Sequence, residues 1–474
     1  MTKKRQIWIH DNLPVLRCLD SESADLIYLD PPFNSGKQWE SPIGGKKGRA
    51  KAAFKDTWNP SDTHIDEEYE LANSYPHVVS LIRSLYEING GSWWAYLIYM
   101  AARLVEMRRI LKPTGSIYYH CDTTMSHGVK LVMDSIFGKG NFRNEIVWHY
   151  GGRGAKSVSK QFPRNGDAIL FYTKNASTAI HRQTYCVKIP LKNSEYRRDE
   201  SGRYFRTAPR GCYTDESVRR LEKEGRIYRT RNGTIRVKYF EESDGEFVYE
   251  HKQVGNVWND IPDAMHTSKK EGADYPTRKP AALLERIIAA SSNEGDVVLD
   301  PFCGCGTTML VADKLNRQWI GIDISDEAVR ILRDRLPLFN EAADGSGIEE
   351  FARTLPKRSD IPKMPAAEKE RLREDLYREQ KGRCAAPCGE NGGGVKIELR
   401  QMHLDHKTAE ARGGQTVAHN MQLLCPHCNS TKGADGQTRF YRRILENAIE
   451  NKFREHQRAA EKKYRAQMEK IFDR

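Results

Sequence analysis

One stretch, VVLDPFCGCGTTMLVADKLNRQWIGIDIS from Val297 to Ser325, limits what this chain can fold into more than any other. An apolar run ends at Asp300, a glycine turn follows at Gly304–Cys305–Gly306, a helix-like segment starts at Thr307, and a second apolar run closes at Asp323. Strand, tight turn, helix and returning strand make a βαβ unit, because parallel strands need a crossover connection. Glycines in the turn let the backbone approach a ligand closely, and the free N–H groups of the helix start can hold its polar atoms. Asp323 stands 19 positions beyond Gly304, where an acidic residue in such units takes ribose hydroxyls.

The same alternation extends over residues 1–345. ADLIYLD (24–30), GSIYYHCD (115–122), DAILFYTK (167–174), DVVLD (296–300) and QWIGIDI (318–324) read as short, mostly buried strands. YLIYMAARLVEMRRIL and KPAALLERIIAASS read as helices. The expected fold is α/β on a mostly parallel sheet. Ligands of such sheets sit beyond the C-terminal strand ends, so Asp30 and Asp300 become the expected rim of a site. From about 175 to 256 short polar strands rich in Arg and Tyr take over, as in EYRRDESGRYFRTAPRGCY, and predict an inserted module. GGKKGRAKAAFKD (44–56) reads as a mobile basic loop near Asp30. Residues 346–368 read as a linker, 369–440 as a small cysteine-bearing domain and 441–474 as a basic helical tail.

Composition narrows the partner. Lys and Arg number 76 against 64 Asp and Glu, a formal net charge of +12, and a basic excess of that size favours a polyanion, most often nucleic acid. No apolar run approaches the roughly 20 residues needed to span a bilayer, so no membrane partner is expected. The start MTKKRQIWIHDNLPVL lacks the apolar centre and cleavage site of a signal peptide. Four of the ten cysteines form two close pairs, which suits metal binding in a reducing cytoplasm better than a secreted disulfide scaffold.

YLDPPFNSG (28–36) places a carboxylate, two rigid residues and an aromatic at the end of a strand. The Asp30 carboxylate and the Pro31 carbonyl are both acceptors, and an exocyclic amino group on a base donates two hydrogen bonds. The prolines hold the acceptors rigidly, and Phe33 offers a face on which an extruded base can stack.

With these residues in view, residues 1 to about 335 resemble the amino-methyltransferases that modify DNA with S-adenosylmethionine. DPPF (30–33) is similar to that family's catalytic motif and DPFCGCGTT (300–308) to its cofactor loop. QFPRNGDAILFYTK, VGNVWNDIP and YPTRKPAALLERII resemble further blocks of the family. Catalytic block, recognition module and cofactor block follow in that order, the permuted order of the beta group. The resemblance implies a Rossmann-like methyltransferase fold whose base pocket is Asp30, Pro31, Pro32 and Phe33. Asp300, Phe302, Gly304, Gly306 and Thr307 are then expected to line the cofactor, Asp323 to take its ribose, and Lys279 and Pro280 to sit beside it. Duplex DNA is the expected partner, the insert its reader, and a homodimer is allowed. A motif beginning with Asp accompanies adenine N6 in this family more often than cytosine N4, and no Pro-Cys-Gln segment supports the covalent route to 5-methylcytosine.

The C-terminal region carries a second chemistry. Cys384/Cys388 and Cys425/Cys428 fit a closed structural zinc site, with three residues rather than two inside the first pair. Between the pairs, LDH (404–406) is followed by Asn420 and then Asn429, and this resembles the HNH nucleases, whose small ββα-metal core uses one divalent ion. The resemblance implies His406 as general base, Asp405 and Asn429 as ligands of Mg²⁺ or a similar ion, and Asn420 as the residue that fixes the loop orienting His406. Asn at 429 where the family often has His suits a hard, oxygen-preferring ion.

The combined reading is an adenine methyltransferase joined to an endonuclease, as in a restriction–modification system, with methylation either blocking or licensing cutting. The alternatives are a solitary methyltransferase whose zinc domain only binds DNA, and an enzyme acting on RNA.

Overall fold

The computed structural model describes residues 4–34, 37–41, 51–151, 162, 164–182, 184–263, 278–335, 348–351, 354–389 and 392–472. In chain order the first part gives β1 (Arg5–Ile9), α1 (Asn12–Cys18), β2 (Ala24–Leu29), β3 (Lys37–Ser41), β4 (Lys51–Asp56), α2 (Asp62–Ser74), α3 (Pro76–Asn89), α4 (Gly91–Ile110), β5 (Leu111–Cys121), α5 (Ser126–Phe137), β6 (Phe142–His149) and β7 (Gly166–Thr173). The insert gives β8 (Thr184–Pro190), β9 (Arg197–Arg198), β10 (Tyr204–Pro209), α6 (Asp215–Lys223), β11 (Ile227–Arg229), β12 (Ile235–Ser243) and β13 (Phe247–Gln253). The chain continues with β14 (Val257–Trp258), α7 (Ala281–Ser291), β15 (Val297–Asp300), α8 (Thr307–Lys314), β16 (Gln318–Asp323), α9 (Asp326–Arg335) and β17 (Glu349–Phe351). The C-terminal part is α10 (Ala366–Glu379), β18 (His403–His406), β19 (Met421–Leu424), α11 (Pro426–Lys432) and α12 (Gln437–Phe472).

Among the described residues the central sheet has the strand order β14-β6-β7-β5-β2-β15-β16-β1-β17. It is parallel from β5 across to β17, while β7 runs antiparallel to both β5 and β6. The expected α/β architecture is therefore present. β2 and β15 are buried along their whole lengths, as their unbroken apolar runs require of strands covered on both faces. Their pairing, Leu26 with Val298 and Ile27 with Leu299, sets Asp30 and Asp300 at adjacent strand ends. From β2 the sheet continues through β5 on one side and from β15 through β16 on the other, so these two ends form the switch point where such folds bind ligands.

The sequence did not reveal β1, whose charged surroundings hide a five-residue strand paired with β16 and β17. β17 falls inside the segment expected to be linker. It is too short to carry a period, yet it pairs along β1, and Phe351 stacks on Trp8 with centroids 4.0 Å apart. Further along that segment, Ser359 N–H donates to Asp20 Oδ1 at 2.6 Å and Ser21 N–H to Asp360 Oδ2 at 3.0 Å. Of the expected basic loop, residues 51–56 form β4, which pairs with β3, and residues 44–50 lie outside the described residues.

Residues His181–Asn256 form a separate compact unit. Its antiparallel sheet runs β8-β13-β12-β10-β9, with β11 on β12. Guanidinium groups lie over its rings, Arg203 over Phe240 at 4.0 Å, Arg197 over Tyr228 at 4.9 Å and Arg206 over Tyr239 at 5.2 Å. The alternation of Arg with Tyr and Phe in this stretch is the sequence form of that layer.

Candidate functional site

A cavity of about 340 Å³ opens at the ends of β2 and β15. Asp30, Pro31, Pro32, Phe33, Lys279, Asp300, Phe302, Gly304, Thr307 and Asp323 all line it. Two of the residues expected at this cofactor and base site do not. Gly306 stands at the N-cap of α8 with φ +77°, where a side chain would strike Leu332, so it serves the close packing of α9. Pro280 is the N-cap of α7.

Lys279 enters the site at Asp30. Its Nζ lies 2.8 and 2.7 Å from the two oxygens of Asp30 and 5.1 Å from the centre of the Phe33 ring. Asp300 is buried, accepting from Phe302 N–H at 3.0 Å and from the Thr308 hydroxyl at 2.6 Å. Burial pushes its carboxyl up to about 7, the charges of Asp30 and Asp323 adding to this and the two hydrogen bonds opposing it. Asp323 accepts Gly304 N–H at 2.9 Å and Ser325 N–H at 2.8 Å, which shapes the glycine turn. Burial raises its carboxyl too.

Three groups of lining or supporting residues escaped the sequence. Asp11 and Asn12 reach the cavity from the start of α1, and Asn12 Nδ2 donates to the Pro301 carbonyl at 2.9 Å. Arg103, 1 % exposed, holds both of them, with Nε 2.5 Å from Asn12 Oδ1 and Nη2 3.2 Å from Asp11 Oδ1, and reaches Glu67 Oε1 at 3.1 Å. Beneath Phe33, the buried His120 stacks on its ring with centroids 5.9 Å apart and lies 3.0 Å from both the Tyr28 hydroxyl and Asp167 Oδ2. Burial pushes Asp167 up, but the hydrogen bond and charge of His120, with the charge of Lys279, outweigh it and leave its carboxyl below the usual value. The N-capping Asp11 was a legible helix-start signal. A histidine at the end of a buried strand carried no comparable mark.

The chemistry of the cavity is that of a site for a cation joined to a ring and hydroxyls. Asp11, Asp30, Asp300 and Asp323 supply acceptors, and Phe302, Tyr99 and Trp58 supply aromatic walls. This donor set fits a sulfonium nucleoside cofactor.

In the C-terminal part, the sulfur atoms of Cys384, Cys388, Cys425 and Cys428 all lie within 4.8 Å of one another, and all four residues are buried. Tetrahedral zinc with bonds of about 2.3 Å needs sulfurs ~3.8 Å apart, so the cluster fits with little movement. Backbone N–H groups already point at the sulfurs: Cys425 N at Cys384 Sγ (3.3 Å), Cys428 N at Cys425 Sγ (3.4 Å) and Val395 N at Cys388 Sγ (3.4 Å).

β18 and β19 pair antiparallel, Asp405 opposite Gln422 and His406 opposite Met421. His406 Nε2 is 2.9 Å from Thr416 Oγ1 and 3.6 Å from Glu410. Asn420 ties the intervening loop, accepting Thr408 N–H at 2.9 Å and donating to the Thr408 and Gln415 carbonyls at 3.1 and 2.9 Å. Asp405 Oδ2 is held by Gln422 at 3.2 Å and by Lys432, 1 % exposed, at 2.6 Å. Sequence reasoning overlooked Lys432. It lies one turn beyond Asn429 on α11 and so shares its face.

Residues 24–334 match the family described as DNA methylase, and residues 383–435 match the HNH endonuclease family. The chain belongs to the DNA methylase family. It carries an HNH endonuclease domain behind the methylase core. Type II methyltransferase M.EcaI of Enterobacter cloacae is 28% identical over 357 residues, 70% of this chain and 69% of that protein. DNA adenine methyltransferase YhdJ of Escherichia coli is 27% identical over 350 residues, 74% of this chain and 87% of that protein. A solved DNA modification methylase from Thermus thermophilus, complexed with S-adenosyl-L-methionine, is 17% identical with a TM-score of 0.36, covering 74% of this chain and 99% of that one. In this DNA methylase no helix among the described residues is long and apolar enough to cross a membrane.

Proposed function

We propose that this DNA methylase moves a methyl group from S-adenosylmethionine to adenine N6 in duplex DNA, and that its HNH domain cuts DNA with a divalent ion. The cavity carries the reading: it brings the DPPF carboxylate and the glycine turn, from opposite ends of the methylase core, to one rim. The adenine specificity rests on the Asp of DPPF and on relatives such as YhdJ, whose name states adenine.

The amino nitrogen of adenine is a poor nucleophile because its lone pair is delocalised into the ring. Asp30 and the Pro31 carbonyl accept its two hydrogens and favour a tetrahedral, electron-rich nitrogen. Phe33, stiffened by His120, takes the face of the extruded base. Lys279 keeps the Asp30 carboxylate in place until the amino group shares it. Asp300 and Asp323 hold the cofactor end, and S-adenosylmethionine when bound supplies a methyl carried on a sulfonium. Orientation alone can lower such a barrier by about 7 kcal/mol or more.

In the HNH domain His406 activates water, Asp405 and Asn429 would hold Mg²⁺ or a similar ion, which would stabilise the leaving oxygen, Asn420 fixes the loop, and the four cysteines would hold structural zinc. The insert reads the DNA, with its Arg and aromatic layer facing phosphates and bases. A basic chain with reduced cysteine pairs works in the cytoplasm.

The test is one preparation assayed twice. Labelled methyl should appear in adenine of duplex DNA and not of RNA. Unmethylated plasmid should be cut by the wild type with Mg²⁺ and not by His406→Ala. Methyl transfer without cutting would reduce the HNH domain to a DNA-binding module.

A further inference from the structure

The loop that orients His406 rests on the methylase core. Thr408 is bound on two sides: its backbone pairs with the Asn420 side chain, and its hydroxyl donates to Glu70 Oε1 on α2 at 2.8 Å. Gln415 repeats the arrangement. Its carbonyl accepts from Asn420, while its own Nε2 reaches Cys18 Sγ at the end of α1, 3.4 Å away. The next residue, Thr416, is the one that touches His406.

Charges extend the contact. Arg17 pairs with Glu70 and donates to the Arg412 carbonyl at 3.2 Å. The Arg412 guanidinium lies 3.3 Å from Asp66 Oδ2, and Asp66 Oδ1 accepts Thr438 N–H at 2.6 Å at the start of α12. Asp66 is 4 % exposed, so the carboxylate end of this pair is buried while Arg412 stays partly exposed. The surfaces fit closely: a Cβ on Gly413, at φ +77°, would stand 2.6 Å from the Pro14 carbonyl, and one on Gly436 would overlap the Asp66 carboxylate.

We propose that Arg17, Asp66 and Glu70 of the methylase core are positioning residues of the nuclease, holding the 407–416 loop in the geometry that aims His406. The proposal rests on the nuclease reading given above. A short loop tied to Asn420 alone keeps freedom to shift His406 by a fraction of an ångström, and general-base catalysis is sensitive to displacements of that size. The nuclease is thus completed by the methylase on which it sits.

The full chain is tested as Glu70→Ala, Asp66→Ala and Glu70→Gln, with plasmid and Mg²⁺, each preparation also assayed for methyl transfer and bound zinc. Both alanine variants should cut roughly ten- to a hundred-fold more slowly, with methyl transfer and zinc at wild-type levels. Glu70→Gln keeps an acceptor for the Thr408 hydroxyl and should recover most of the loss. Hydrogen exchange of residues 407–416 should quicken in the alanine variants. Alanine variants that cut at the wild-type rate would overturn the proposal and leave the nuclease standing. Variants that lose zinc together with cutting would also overturn it, because the role would then be domain stability. A wild type that never cuts would remove the nuclease reading itself, and this proposal with it.

Discussion

Lys279 holds both carboxylate oxygens of Asp30, at 2.8 and 2.7 Å, with the two side chains only 10% and 19% exposed. The motif containing Lys279 gave an expected place beside the cofactor, and in the structure its ammonium lies on Asp30 in the same cavity. Lys279→Met should therefore lower the single-turnover methyl-transfer rate and leave cofactor affinity unchanged by calorimetry. A variant that loses cofactor affinity at an unchanged transfer rate would return Lys279 to the cofactor.

On the proposed mechanism, Asp30→Ala removes the acceptor that reshapes the target nitrogen. Loss of one preorganised group at a reacting centre costs roughly 10²–10³ in rate. Labelled methyl incorporation should fall by at least that factor while the cofactor still binds. Near-normal incorporation would dismiss the pocket assignment.

Asp300 makes the cavity pH-sensitive. Its folded value of about 7 lies above the ordinary 3.8, so the native core binds a proton that the unfolded chain gives up. That contribution to stability is full below the ordinary value and is lost as pH rises through about 7. Asp300→Asn should gain stability relative to the wild type as pH increases over this window in ligand-free melts. A cationic cofactor favours the carboxylate, so wild-type affinity should rise through pH 7 and the Asn variant should show a flatter profile.

The cysteine cluster gives a separable prediction. Stripping zinc with a strong chelator, or Cys428→Ser, should unfold the C-terminal domain and spare the methylase core, seen as loss of one calorimetric transition with methyl transfer retained. An unchanged melting profile at zero bound zinc would count against the site.

These particulars also mark what the sequence could carry. The strands ending at Asp30 and Asp300 were legible because burial on both faces demands unbroken apolar runs. β1 and β17 were not, since a short strand among charged residues has no period to read. Cysteine spacing announced the four-sulfur cluster. Lys279, His120 and Lys432 act through partners remote in the chain, and a single sequence does not state which residues meet.

Arg103 is another residue whose partners are remote in the chain. Its guanidinium, 1 % exposed, joins the pocket residues Asp11 and Asn12 to the buried Glu67. Burial raises Glu67 to about 7 even against the charge and hydrogen bond of Arg103, which lower it. Arg103→Met leaves Glu67 without its cation and should raise its value further. Breaking a buried pair on one side typically costs about 3–5 kcal/mol. A protonated Glu67 escapes most of that cost, so the loss should be small in acid and should grow as pH rises past neutrality. Melts of wild type and variant across that range, compared with Arg103→Met/Glu67→Gln, measure it. The double variant should recover stability at high pH, because no buried charge is then left uncompensated at position 67. A loss independent of pH and equal in both variants would mean that Arg103 acts through Asn12, Asp11 and its packing on Tyr99, over which its guanidinium sits at 3.1 Å, rather than through Glu67.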